Sequence, residues 1–189
     1  YPLRYGENPQ QKAIALVNDK SFIQLGGEKK LSYNNLLDLD AAINIAYNTS
    51  SKENICTIIK HNIPCGGAIT KNQKDSYMKA LAGDPLSAFG GIVAFNQKLT
   101  SATAKLIIKN FYEVIAAPSF EKEAIRILQT KKNLRVLKVK KFKSQTEQRS
   151  IFAGALIQDS NNKTSQIKSI YGTNKLNKDQ LKFFVNILK

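Results

Sequence analysis

The only histidine of the chain, His61, directly follows Lys60 at the end of a short run rich in β-branched residues, Ile55–Ile59. An imidazole accepts a proton near neutral pH, because its reference pKa is about 6.5. A neighbouring ammonium stabilises developing negative charge or protonates a leaving nitrogen. The pair therefore suits a transfer in which a weak nucleophile loses a proton while an oxyanion forms. By spacing alone, a histidine beside a lysine also describes a surface or packing residue. Two further segments have the composition of a site, Arg4-Tyr5-Gly6-Glu7-Asn8-Pro9 and Asp84-Pro85-Leu86-Ser87-Ala88-Phe89-Gly90-Gly91. The glycine pair ending the second permits close backbone approach to a ligand, or a tight turn. Gly26-Gly27 does not match a phosphate-cradling glycine loop. Cys56 and Cys65 are too few for a disulfide framework and lack zinc-site spacing, so no metal is expected and a reducing cytosol fits.

These residues need elements to hold them. The opening stretch Tyr1–Gln11 is polar, with Gly6 and two prolines, and reads as an ordered loop or extended arm. Ala13–Val17 and Phe22–Leu25 flank a polar turn at Asn18–Lys20, which predicts a hairpin. Leu36, Leu39, Ile43, Ala46 and Tyr47 recur at helical spacing after a candidate N-cap, Ser32. Ile55–Ile59 reads as a buried strand that ends in a loop over His61–Gly67, where Pro64, Gly66 and Gly67 fall. Helices are predicted over Asp75–Leu81, Ala102–Lys109 and Phe120–Gln129, and strands at Ile92–Phe95, Val114–Ala117, Val136–Val139 and Ile151–Ile157. This alternation argues for an α/β layered domain with a parallel or mixed sheet. Ligands in such sheets tend to sit beyond the carboxyl ends of strands, which singles out His61–Gly67 and the loop before Ile92. Asp159–Asn177 reads as a polar linker or surface excursion, and Leu181, Phe184, Val185 and Leu188 form a terminal helical stripe.

The chain has 189 residues, 42% hydrophobic and 23% charged, as globular proteins do. No apolar run approaches the roughly 18 residues of a membrane span. A net charge of +15 could serve a basic nucleic-acid-binding module without catalysis. Yet the densest cluster, Lys138, Lys140, Lys141 and Lys143, holds no arginine and one aromatic, Phe142. Nucleic-acid sites more often combine arginine with several stacking aromatics, so the charge reads as solvated faces. A first residue that is Tyr, not Met, is expected of a chain that starts inside a longer protein or after processing.

In order along the chain, six segments resemble the AICAR (aminoimidazole-carboxamide ribonucleotide) transformylase region of the bifunctional AICAR formyltransferase/IMP cyclohydrolase family. They are Leu3–Pro9, Leu31–Asp38, Lys60-His61 with Pro64-Cys65-Gly66, Asp84-Pro85 with Ser87–Gly91, Glu113-Val114-Ile115 with Ala117-Pro118, and Lys131–Arg135. The resemblance runs from Tyr1 to about Asp159, with a looser match in the last helix. Gln10 and Ile63 depart from it, standing where the family usually has histidine and asparagine.

The resemblance implies formyl transfer from 10-formyltetrahydrofolate, a cosubstrate, to the 5-amino group of AICAR, with no tightly bound cofactor and no metal. His61 would accept the proton released in the attack, and Lys60 would steady the oxyanion or assist the leaving folate nitrogen. Arg4 and Tyr5 match the nucleotide-binding pair, with Arg4 on the phosphate. Asn35 matches a residue near the substrate, Phe89 and Gly90 the segment against the base, and Glu113 the acid that holds the ribose hydroxyls. The implied fold is a three-layer α/β/α, cytidine-deaminase-like unit without zinc over residues 1–160, followed by the linker and first helix of an incomplete second unit over 161–189. A cyclohydrolase domain before Tyr1, a second transformylase half after Lys189, a homodimer in the cytoplasm and low activity of this piece alone are also implied.

Overall fold

The structure is a computed structural model, which describes residues 1–17, 21–47, 51–140, 146–160 and 181. Its elements follow in the order β1 (Phe22–Gly26), α1 (Tyr33–Tyr47), β2 (Asn54–Lys60), β3 (Ile63–Thr70), α2 (Gln73–Leu81), β4 (Ile92–Phe95), α3 (Ser101–Ile107), β5 (Val114–Ala117), α4 (Lys122–Gln129), β6 (Arg135–Val139), β7 (Thr146–Ile151) and β8 (Gly154–Asp159). Strands β4 and β5 are buried at all four of their residues, which is why they are apolar throughout rather than alternating. Six strands form one mixed sheet in the order β1-β6-β5-β4-β2-β3. Within it β4, β5 and β6 run parallel, and every other pairing is antiparallel.

Both faces of the sheet carry helix. Because successive strand residues point to opposite faces, Ile55, Ile59, Ile92, Ala94, Val114 and Ala116 meet α1 through Leu39, Ala42, Ile45 and Ala46. On the other face Cys56, Ile58, Val93, Phe95, Ile115 and Val136 pack with Tyr77, Ala80, Ala104, Ile107, Ala124 and Leu128 of α2, α3 and α4. Each fully buried isoleucine contributes about 1.5–3 kcal/mol, so the core rests mainly on these two layers of contact. The start of α1 is fixed reciprocally. Asn35 N–H donates to Ser32 Oγ at 3.2 Å, and Ser32 N–H donates to Asn35 Oδ1 at 3.1 Å. This is a capping box with asparagine at its third helical position, and Ser32 caps as its type predicts.

Three expectations change. The hairpin predicted from Ala13–Val17 and Phe22–Leu25 does not form among the described residues, and its turn at 18–20 lies outside them. Ile14 bridges Pro2, and β1 instead pairs with β6 across Phe22↔Val139 and Ile23↔Lys138. A free two-stranded hairpin is marginal in water, whereas the sheet edge buries Phe22 against the α1 side of the core. The loop predicted over His61–Gly67 shrinks to a two-residue turn, and Pro64 to Gly67 belong to β3. Pro64 and the glycines are tolerated because β3 is an edge strand, with a bulge where Ile58↔Gly66 gives way to Ile59↔Pro64. The strand predicted over Ile151–Ile157 is two strands, β7 and β8, which pair only with each other and are exposed at every residue.

The linker expected over Asp159–Asn177 lies outside the described residues beyond position 160, as does the terminal stripe apart from Leu181. Lys141 to Lys143 of the basic cluster lie outside them too. Among the described residues no helix is long and apolar enough to cross a membrane.

The sheet end formed by the carboxyl ends of β4 and β5 is tied by side chains. Gln73 Oε1 accepts from Thr100 N–H at 2.9 Å, Gln73 Nε2 donates to Lys98 O at 3.0 Å, and Ser101 N–H donates to Glu121 Oε2 at 2.7 Å. Asn96 Oδ1 accepts from Ile55 N–H at 2.7 Å. The other end is where the candidate residues gather.

Candidate functional site

Strand β2 runs antiparallel to β4, so its carboxyl end meets the amino ends of the parallel trio. Lys60 closes β2, Gly90 and Gly91 lead into β4, Glu113 precedes β5 and Arg135 opens β6. Of the candidate residues expected beyond strand carboxyl ends, only Lys60 and His61 stand at one, that of β2. For β4, β5 and β6 the candidate residues lie at the amino ends.

His61 and Asn62 form the whole turn between β2 and β3, with φ of 52° and 61°. Positive φ at both central residues is the pattern of a type I′ hairpin turn, which asparagine tolerates well and histidine less so. The turn is held from outside, since Asn62 N–H donates to Asp38 Oδ1 at 2.7 Å. Asp38 lies on α1, three residues beyond Asn35. His61 itself is exposed, and its ring makes no hydrogen bond among the described residues.

Lys60 turns toward the segment before β4. Its ammonium donates to Phe89 O at 2.5 Å. Gly90 has φ of 72° and its N–H donates to Phe111 O at 2.8 Å. A Cβ at Gly90 would stand 2.9 Å from Lys60 Nζ and displace the ammonium, and the positive φ adds backbone strain for a residue with a side chain. Phe89 is 64% exposed, and its ring lies 5.1 Å from that of Phe111. The segment starts with a turn in which Ser87 N–H donates to Asp84 Oδ1 at 3.0 Å. The side chain and backbone of Ser87 hold the Asp84 carboxyl below the usual carboxylate range.

Next to this group stands a second one. Asn35 Nδ2 donates to Glu113 Oε2 at 2.7 Å, and Arg135 Nη1 lies 3.4 Å from the same oxygen. Asn35 is buried at 4% exposure, with its carbonyl oxygen already taken by Ser32. Glu113 N–H donates to Gly91 O at 3.0 Å, which joins the two groups through the backbone. Burial pushes the Arg135 guanidinium below its usual pKa; the Glu113 carboxylate opposes this and the charge of Arg4 adds to it.

The opening arm completes the set. Arg4 N–H donates to Leu31 O at 2.9 Å and Tyr33 N–H donates to Tyr5 O at 3.2 Å, so the arm lies across the start of α1. The Arg4 guanidinium stacks 4.5 Å from the Tyr5 ring centroid and its Nη2 donates to Tyr5 Oη. It stays exposed, with donors left for an anion.

Lys60, Phe89 and Gly90 thus touch one another, Asn35 touches Glu113, and Arg4 stacks on Tyr5. His61 borders these groups through the turn that Asp38 holds. Two residues that sequence reasoning did not single out are structurally central, Arg135 and Asp38. Both lie inside quoted segments, and the signal for Arg135 was an arginine opening an apolar strand in a chain rich in lysine. Among the described residues no cluster of His, Cys, Asp and Glu could hold a metal ion.

Comparison with known proteins bears on the family of the chain. The "Bifunctional purine biosynthesis protein PurH" of Clostridium perfringens (strain 13 / Type A) is 45% identical over 168 residues, covering 85% of this chain and 33% of that protein. The protein of the same name from Prochlorococcus marinus (strain MIT 9515) is 45% identical over 191 residues, covering 93% of this chain and 37% of that protein. The chain therefore spans about a third of the length of the curated relatives it matches. A solved structure titled "Acinetobacter baumannii RibD, form 1" aligns with a TM-score of 0.40 and 15% identity, over 53% of this chain and 35% of that one. Residues 1–188 match the family described as "AICARFT/IMPCHase bienzyme", and the chain belongs to that family.

Proposed function

We propose that this chain carries part of the formyltransferase site of a bifunctional purine-biosynthesis enzyme, acting on AICAR and 10-formyltetrahydrofolate. The observation that carries the reading is the exposed His61 beside Lys60, in a turn that α1 pins, next to the Asn35–Glu113–Arg135 group. The 5-amino group of AICAR is a poor nucleophile, because its lone pair is drawn into the imidazole and carboxamide. Its nitrogen attacks the formyl carbon and a new C–N bond forms. His61 takes the proton released, and Lys60 steadies the tetrahedral oxyanion. The bond from the formyl carbon to the folate nitrogen then breaks, with a proton passing to that nitrogen. Arg4, stacked on Tyr5, offers a planar fork of donors to the phosphate. Phe89 and Gly90 lie against the base, and Glu113 accepts from the ribose. Holding the two reactants together supplies roughly 7–11 kcal/mol in well-oriented cases.

This reading selects formyl transfer over cyclohydrolysis, because the six segments resemble the transformylase region. It carries with it a three-layer, cytidine-deaminase-like unit over residues 1–160, a homodimer in the cytoplasm, and a site completed by residues this chain does not contain. In the full-length protein, His61→Ala lowers kcat by about 10²- to 10⁴-fold, the range for a positioned acid–base group, while AICAR still binds. An unchanged rate overturns the assignment. The 189-residue chain alone binds AICAR weakly by calorimetry and turns over little; tight binding with normal turnover contradicts the view that the site is shared.

A further inference from the structure

Arg135 is 2% exposed and among the largest fully buried side chains of the protein. Its partners are Glu113 O at 3.3 Å, Glu113 Oε2 at 3.4 Å and Lys30 O at 3.3 Å. All three contacts are long, and its Nε is buried with no partner. As a stability device this is poor, since an apolar side chain of similar volume often serves as well as a buried ion pair. The guanidinium is better explained by what it does to its one acidic neighbour. The Glu113 side chain is 36% exposed, so part of it faces outward. Its Oε2 is held by Asn35 and Arg135, and its Oε1 accepts no hydrogen bond among the described residues. Asn35 is in turn fixed by Ser32 at the start of α1. The result is a carboxylate clamped by one oxygen with the other left to accept.

We infer that Arg135 is a positioning residue for the nucleotide sugar: with Asn35 it fixes Glu113 so that Oε1 receives a ribose hydroxyl, and this sets a preference for ribose over 2′-deoxyribose. The inference rests on the reading of Glu113 as the ribose contact. A fixed acceptor discriminates because a ligand that covers Glu113 but lacks the hydroxyl leaves Oε1 without a donor, while Oε2 stays bound to Asn35 and Arg135. A carboxylate free to rotate would find water instead, and the difference between the two sugars would shrink.

The test uses the full-length protein, with AICAR and its 2′-deoxyribosyl counterpart as probes and calorimetric Kd as the readout. The intact protein is expected to prefer the ribose form by about 10- to 100-fold, the range of one charge-assisted hydrogen bond. Arg135→Lys keeps a charge but not the planar fork, and should bring the ratio to within about threefold by weakening only the ribose form. A merely structural role would weaken both nucleotides alike and leave the ratio unchanged, which overturns the proposal. Where Arg135→Lys does not fold, Glu113→Gln combined with Arg135→Met removes both charges together and avoids a stranded one. That pair should show the same ratio as Glu113→Gln alone, and a further fall in the ratio overturns the proposal. An intact protein that binds AICAR with no sugar preference sinks the Glu113 assignment. One that binds neither nucleotide sinks the proposed function itself.

Discussion

Side chains that look alike in sequence end up in opposite circumstances. Lys60 is tied to a carbonyl while most lysines point outward, and Asn35 is spent on Ser32 and Glu113 while Asn34 reaches out to Glu7 O at 3.2 Å. Tyr47 illustrates the cost of depth. Its ring is buried at the end of α1, its hydroxyl has no hydrogen-bond partner among the described residues, and burial pushes its pKa above the usual phenol range. Removing an unsatisfied buried hydroxyl relieves a desolvation penalty of about 1 kcal/mol or more. Tyr47→Phe is therefore expected to raise Tm by about 2–4 °C in thermal unfolding, for a chain of this size; a fall in Tm would show that the hydroxyl has a partner after all. The sequence pattern could nominate Lys60 and His61 by type, and Glu113 only through the family resemblance. It could not reveal Arg135, because depth and the long contacts to Glu113 come from strands brought together in space, 22 residues apart in sequence.

Elements were legible where burial leaves one reading. The apolar tetrads Ile92–Phe95 and Val114–Ala117 are strands β4 and β5 to the residue, since a strand covered on both faces has no polar position to confuse its ends. Ser32 foretold the start of α1. Strand β3 was not legible, because Pro64, Gly66 and Gly67 read as breakers unless one knows that the strand lies at the sheet edge. Gly66 has its own reason to be there. A Cβ on it would stand 1.9 Å from Ala80 O of α2, well inside contact distance. Gly66→Ala must push α2 away from β3, and overpacking of this kind costs typically 1–3 kcal/mol. A lowered midpoint in urea unfolding is the expected result. An unchanged midpoint would mean that the helix and the strand do not approach as described.

At the scale of the molecule, the order of strands was beyond the reach of periodicity. Nothing in residues 22–26 announces that their partner is β6, more than a hundred residues later. Acid should act on both ends of the sheet. The carboxyls of Asp84 and Glu121 are held below their usual range, Asp84 chiefly by Ser87 and Glu121 chiefly by the Ser101 N–H. A carboxyl whose folded pKa is depressed contributes stability that is present above its unfolded value and lost as pH falls through the folded one. Stability in urea should therefore decline as pH drops below about 4, and Asp84→Asn with Glu121→Gln should flatten that decline. A profile just as steep in the double variant would remove these two groups as its cause.

The candidate residues and the Gln73–Thr100–Glu121 stitching occupy opposite ends of the same short strands. Four residues of strand put roughly 13 Å between them, beyond the reach within which substitutions normally interfere with one another. Natural variation can thus retune recognition on one rim while the opposite rim is repaired or hardened on its own schedule. An engineer could graft tethers, labels or stabilising changes onto the quiet rim and expect their effects simply to add to whatever is altered at the busy one.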